Sequence, residues 1–249
     1  MAGVPGAVMN VVLSPVCPHH IDRPVMRQWW RDLLFVHGRV DADVIRRLLP
    51  AGVEIDEFDG SGWVSYVPFG MHDIAFAGTP PVPYLGTFPE VNIRTYVRHE
   101  GVPYVWFFSL DIPRFLPVAV ARSVFALPYM YSAVHHGRIG SIVTSSTKRR
   151  WSDAAAHSVA RIGDVADTDD LDVFLTARWG LLTATRRSLV EARIHHEPWV
   201  LHDAELLEFD ERLSAAARLP DWEPERVTYA PGLPVTVGAP RRVRPLTER

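Results

Sequence analysis

The stretch FPEVNIRTYV at Phe88–Val97 holds the residues whose types and spacing most directly suggest chemistry. Side chains two apart on a strand share a face. Glu90, Asn92, Arg94 and Tyr96 therefore point one way, and Val91, Ile93, Thr95 and Val97 the other. If the polar face lines an internal pocket, the arginine can hold an acid through paired hydrogen bonds while the glutamate handles a proton. If it is the solvent face of an edge strand, or a structural ion pair, it does neither.

Other candidate groups have plainer readings. Asp56, Glu57 and Asp59 cluster with Glu54 around a turn; paired carboxylates can divide acid and base roles, but a solvated acidic turn accounts for them. Three histidine pairs occur, His19-His20, His135-His136 and His195-His196. Neighbours on a strand face opposite ways, so no pair supplies two ligands to one metal, and neither a metal nor another cofactor is expected. In RIHHEPW one of His195 and His196 turns inward if the segment is a barrel strand. A buried histidine bonded to the backbone is the simpler role for it, and substrate contact the sharper one. No glycine-rich phosphate loop and no GxSxG elbow is present.

The elements that must position these groups read as mixed α and β. Asp41 caps a helix over Ala42–Leu49, ended by Pro50 and Gly52, and Asp169 caps a second over Asp170–Arg178. The alternation around Val91–Arg98 and the apolar run Val102–Leu110 predict two strands joined at Glu100-Gly101. Further strands are expected at Ile139–Ser146, Leu181–Thr185, Val190–His195 and Val227–Val237, and a short helix over Leu116–Ala126. Residues 1–24, with four prolines, read as an extended arm, 25–240 as a single domain and 241–249 as a basic tail. Strands without a regular βαβ rhythm give an α+β class.

Composition bounds the partners. The chain has 249 residues, 47% hydrophobic, with a net charge of −3, enough apolar content for a sizeable core and no basic excess for nucleic acid or anionic lipid. Cys17 is the only cysteine, which excludes an internal disulfide and suits a reducing cytoplasm. No segment reaches the roughly 20 apolar residues of a membrane-spanning helix. Of 26 basic residues a single one, Lys148 in the basic turn TKRR, is lysine, and it reads as solvated.

Taken in order, Leu33–His37, Arg46–Gly60, Phe88–Val97, FFSLD at Phe107–Asp111, ARSVFALPY at Ala121–Tyr129, FLTARW at Phe174–Trp179 and RIHHEPW at Arg193–Trp199 resemble the YqjF-like family of bacterial proteins. More distantly, Val40–Glu57, Glu90–Asp111 and Ala119–Tyr131 are similar to acetoacetate decarboxylase. The resemblance implies a closed antiparallel β-structure, a cone or barrel with helices outside and a pocket inside. It implies that Arg31 and Glu90 stand where the decarboxylase has its active-site arginine and glutamate, and that Tyr129 and Met130 stand where it has its Schiff-base lysine and the lysine beside it. Tyrosine and methionine cannot form an imine, so Schiff-base decarboxylation is not expected. The resemblance instead suggests a lyase, dehydratase or cyclase of small-acid or secondary metabolism, possible as a homo-oligomer. Arg31 and Arg94 would bind an organic acid, Glu90 would act as acid or base, and Tyr129 would polarise a carbonyl. A non-catalytic carrier of a small acid or carbonyl compound would keep the same pocket without turnover. A purely structural protein would fill it with aromatic side chains.

Overall fold

In the computed structural model, which describes residues 11–114 and 127–245, strands dominate and the helices are short. The strands are β1 (Met26–Val40), β2 (Glu54–Ile55), β3 (Gly62–Phe76), β4 (Phe88–His99), β5 (Val102–Ile112), β6 (Tyr129–Ile139), β7 (Ile142–Arg149), β8 (Ala155–Val165), β9 (Gly180–Ala184), β10 (Ser188–His195), β11 (His202–Glu211), β12 (Arg226–Val237) and β13 (Arg241–Pro245). The helices are α1 (Ala42–Leu48), α2 (Asp170–Thr176) and α3 (Leu213–Ala216). The two helices expected to carry aspartate caps are present: the Asp41 side chain accepts from the Asp43 amide, and Asp169 forms a reciprocal capping box with Asp172. The helix expected over Leu116–Ala126 lies outside the described residues.

One core of strands, antiparallel except where β5 meets β6, closes on itself. The ladder β5-β6-β7-β8-β11-β12-β1-β3-β4 returns to β5, giving a nine-stranded barrel. The same five strands β12, β1, β3, β4 and β5 close a second, seven-stranded circuit through β9 and β10, because β10 pairs with β12 and β5 with β9. Those five strands are thus a shared wall, and alternation sends neighbouring side chains to opposite sides of it. On the nine-stranded side the space is filled by Leu34, Val36, Val64, Tyr66, Val91, Ile93, Val134 and Val143. On the other side Leu33, Val67, Phe69, Leu110 and Val237 surround a void.

Two local features set which residues face that void. The β4–β5 hairpin turns at Glu100-Gly101, both with positive φ (50° and 77°), which fixes the register His99↔Val102 as a two-residue turn of this kind requires. In β1, Asp32 has φ 51° and the pairing with β3 slips by one residue between Arg31 and Val36. This bulge moves the inward side of β1 from Met26, Gln28 and Trp30 to Leu33. Gly232 opposite Arg31 has φ 121°, and a Cβ there would stand 2.1 Å from the Trp30 carbonyl, so the close β1–β12 approach requires glycine.

The remaining expectations divide. Residues 11–24 lie against the barrel, with the Trp179 indole N–H donating to the Ser14 carbonyl and Arg98 to that of Val11. The basic segment after residue 240 begins with a strand, Arg241–Pro245, paired with β10, and Arg241 binds the buried Glu191 carboxylate through Nε and Nη2. Among the described residues no helix is long and apolar enough to cross a membrane.

Candidate active site

The void between the shared wall and β9–β10 is a cavity of about 320 Å³, within the range of small-molecule sites. Its walls are mostly apolar, with Phe69, Met71, Phe88, Leu110 and Ile112 prominent. The polar groups are few and come from three strands: Gln28 from β1, Glu90, Asn92 and Arg94 from β4, and Tyr129 from the start of β6.

Glu90 is buried at 2% exposure. Removal from water raises its carboxyl from an ordinary 4.5 to about 8, with the Asp111 carboxylate adding in the same direction, while hydrogen bonds from Tyr129 and Asn92 oppose it. The Tyr129 hydroxyl donates to Glu90 Oε2 at 3.1 Å. Burial and that carboxyl together push the phenol well above its ordinary range. At neutral pH both are therefore protonated, and Glu90 keeps an O–H to donate. A carboxylic acid held neutral in an apolar site so that it can donate is a known catalytic device.

Arg94 has no carboxylate partner among the described residues. Its Nη2 donates to the Leu175 carbonyl at 3.4 Å, its guanidinium lies over Phe35 and Tyr96, and its Nε has no partner. The other inner arginine differs. Arg178 gives Nη1 to Asp56 at 2.6 Å and Nε to the Phe174 carbonyl, and Arg98 binds the other Asp56 oxygen at 2.7 Å. Asp56 is thus a buried counter-ion and not part of a solvated acidic turn, because two arginines converge on it; its neighbour Glu57 does stay at the surface, paired with Arg46.

Arg31 is not in the cavity. Its strand parity before the bulge turns it outward, where it is exposed and lies over the ring of Trp29, itself 43% exposed. Gln28 takes the inward place on β1 instead. Tyr96 shares the β4 face but sits below the cavity, fully buried, bonded to Ser65 at 2.7 Å and to His37 Nδ1 at 3.3 Å. It packs under Arg94 rather than lining the space. Of the histidine pair, His196 turns inward and His195 outward against His20. His196 is pushed down to about 4, first by burial, so it is neutral; its Nδ1 lies 2.6 Å from the Glu197 carbonyl, and its ring packs among Trp30, Trp179 and Trp199. It supports the Trp30 wall and does not itself line the cavity. Lys148 is exposed and bonds the Asp153 carbonyl. Among the described residues no cluster of three or more His, Cys, Asp or Glu side chains is placed to hold a metal ion.

Gln28 and Trp30 were not singled out in the sequence, although Met26, Gln28 and Trp30 alternate with Arg27, Trp29 and Arg31 in the period of a strand with one polar side. That alternation was the available signal, and it also places Arg31 on the outer face.

The relatives of the chain agree with this architecture. It is 39% identical over 185 residues to the uncharacterized protein YqjF of Bacillus subtilis strain 168, covering 73% of this chain and 76% of that one. Its structure is similar to that of an acetoacetate decarboxylase-like enzyme from Sphingomonas wittichii RW1, with TM-score 0.65 and 16% identity over 93% and 98% of the two chains. Acetoacetate decarboxylase from Legionella pneumophila gives 0.64 at 15% identity, covering 92% of each chain. The enduracididine biosynthesis enzyme MppR, complexed with pyruvate, gives 0.62 at 18% identity over 97% and 98%. At these identities the likeness is one of fold. The family model for DUF2071, described as an uncharacterized conserved protein, matches residues 27–234, and the chain accordingly belongs to this YqjF-like family, built on the acetoacetate decarboxylase-like barrel.

Proposed function

We propose that the protein is a cofactor-independent enzyme of lyase type, a dehydratase or cyclase, acting on a small oxo acid held in the cavity. The observation that carries the reading is Glu90, a carboxylic acid kept protonated near neutral pH by an apolar cavity and supported by the Tyr129 hydroxyl. Arg94, a guanidinium without a carboxylate partner, supplies the charge that an acid substrate would meet.

In this scheme the substrate carboxylate binds Arg94 and its carbonyl oxygen accepts from Glu90. Glu90 gives its proton to the carbonyl or to a departing oxygen. As a carboxylate it then takes a proton from the adjacent carbon, so the acid form is restored and no outside donor is consumed. Tyr129 holds the Glu90 carboxyl in place throughout. Its phenol does not ionise, because its proton is bound too tightly at neutral pH. That an MppR structure holds pyruvate in the same fold supports a small oxo acid as the ligand class. A carrier would use the same cavity, and turnover separates the two.

The test is exchange of carbon-bound hydrogen. A panel of oxo acids in deuterium oxide is followed by proton NMR with wild type, Glu90→Gln and Arg94→Met. Wild type is expected to exchange hydrogens next to the carbonyl of at least one acid, Glu90→Gln to lose at least 100-fold in rate, typical of a lost acid–base group, and Arg94→Met to need far higher substrate. Full exchange by folded Glu90→Gln would refute the assignment, whereas saturable binding without exchange would identify a carrier.

A further inference from the structure

The cavity holds hydrogen-bonding atoms that the acid-and-carbonyl scheme leaves unused. Asn92 Oδ1 and Gln28 Oε1 are both buried without a partner, in residues 4% and 5% exposed that line the space. The Asn92 amide hydrogen-bonds toward the Glu90 carboxyl, which leaves its oxygen for something else. A buried acceptor with no donor is destabilising, and native proteins hold few of them. Two on one cavity wall, belonging to side chains that apolar residues of similar volume could replace, point to a ligand that brings donors of its own.

Their order along the cavity gives the ligand a shape. On β4, Arg94 is deepest, with Asn92 and then Glu90 following at steps of about 6.7 Å. The pairing of β4 with β3, and of β3 with β1, places Trp30 and Gln28 beyond Glu90. Past them come Met26, Phe76, Val82 and Leu85, which are apolar. The sequence of environments is cation, acceptor, proton donor, then the unpartnered Trp30 N–H beside the Gln28 acceptor, and hydrocarbon.

We propose that the natural ligand is a hydroxylated oxo acid with an apolar tail, whose hydroxyl groups, or amine N–H groups in their place, flank the carbonyl and donate to Asn92 on the carboxylate side and to Gln28 on the tail side. The inference rests on the oxo-acid reading and narrows it to a substrate class. A site built to receive a substrate hydroxyl rejects the analogue without it more strongly than an apolar pocket separates two chain lengths, because the unfilled polar atoms stay unpaired. The apolar mouth provides affinity and the two amides provide selection.

Isothermal titration calorimetry with three matched probes tests it: 4-oxooctanoate, 3-hydroxy-4-oxooctanoate and 5-hydroxy-4-oxooctanoate, each against wild type, Asn92→Leu and Gln28→Met. Each hydroxy acid is expected to bind wild type at least tenfold more tightly than 4-oxooctanoate. Asn92→Leu should erase the advantage of the 3-hydroxy acid alone, and Gln28→Met that of the 5-hydroxy acid alone. Equal binding of all three probes to wild type overturns this inference and leaves the oxo-acid reading standing. Absence of binding by any of them overturns both. The wild-type comparison needs no variant, so a variant that failed to fold would not rescue the proposal.

Discussion

Strand β4 faces two unlike interiors. Val91 and Ile93, both fully buried, enter the filled nine-stranded core, while Glu90, Asn92 and Arg94 enter a cavity lined largely by hydrocarbon, where Asn92 Oδ1 and Arg94 Nε are without a partner. The backbone is the same and the side-chain period is two, so the difference is one of selection and not of fold. A core exists to exclude water and is filled to do so. The opposite side retains space, a neutral acid and an arginine lacking a carboxylate partner, each of which lowers stability; such local departures from good packing concentrate at functional sites.

The two inner arginines sharpen the contrast. Arg178 is a structural cation with Asp56 as its counter-ion, and Arg94 is not. Asp56→Ala leaves a buried guanidinium uncompensated and should lower stability by about 3–5 kcal/mol. Arg94→Met should change it by about 1 kcal/mol or less while removing acid binding, since it deletes a charge that no carboxylate neutralises among the described residues. Urea unfolding of both variants decides the matter. An Arg94→Met loss as large as that of Asp56→Ala would mean that Arg94 holds the fold together, and the distinction between the arginines would fall.

Neighbouring positions on β4 give the next test. Ile93→Ala should cost about 2–5 kcal/mol by opening a void in the filled core. Asn92→Leu, one residue away, should cost only about 1 kcal/mol, because hydrocarbon in place of an unpartnered amide oxygen offsets the lost amide hydrogen bond to Glu90. Comparable losses at the two positions, by the same unfolding measurement, would show that both faces are packed cores.

Much of the strand framework was readable because it rests on local chemistry. The caps at Asp41 and Asp169, the Glu100-Gly101 turn and the alternation in β4 are encoded within a few residues each. Four things were not legible for the opposite reason. The change of the inward side of β1 to Leu33 depends on the bulge at Asp32, a positive-φ aspartate that no sequence pattern marks, although the alternation ahead of it already turns Arg31 outward. The counter-ion role of Asp56 depends on Arg178, 122 residues distant in the chain. Tyr96 belongs to the right face, but that face runs deeper than the cavity does, so alternation alone placed one residue too many in the site. The inward choice of His196 over His195 was likewise fixed only by the tryptophans packed around it.

The most gradual effect, spread over several pH units, is also the most specific to the cavity face. The Glu90 carboxyl is raised from 4.5 to about 8 in the folded protein, first by burial. Below about pH 4.5 the folded and unfolded chains both hold this proton; between about 4.5 and 8 only the folded chain does, so unfolding releases it. Glu90 therefore contributes stability that is fully present below the unfolded value and lost as pH rises toward 8, with a slope of at most about 1.4 kcal/mol per pH unit. Glu90→Gln carries no proton to release and should lack this slope, so the stability difference between wild type and the variant should shrink steadily from pH 5 to 8 and then reverse or level off. Urea midpoints at four pH values measure it. Parallel profiles would place the Glu90 carboxyl in its ionised form inside the folded protein, and the residue would then have no proton to give to a bound carbonyl.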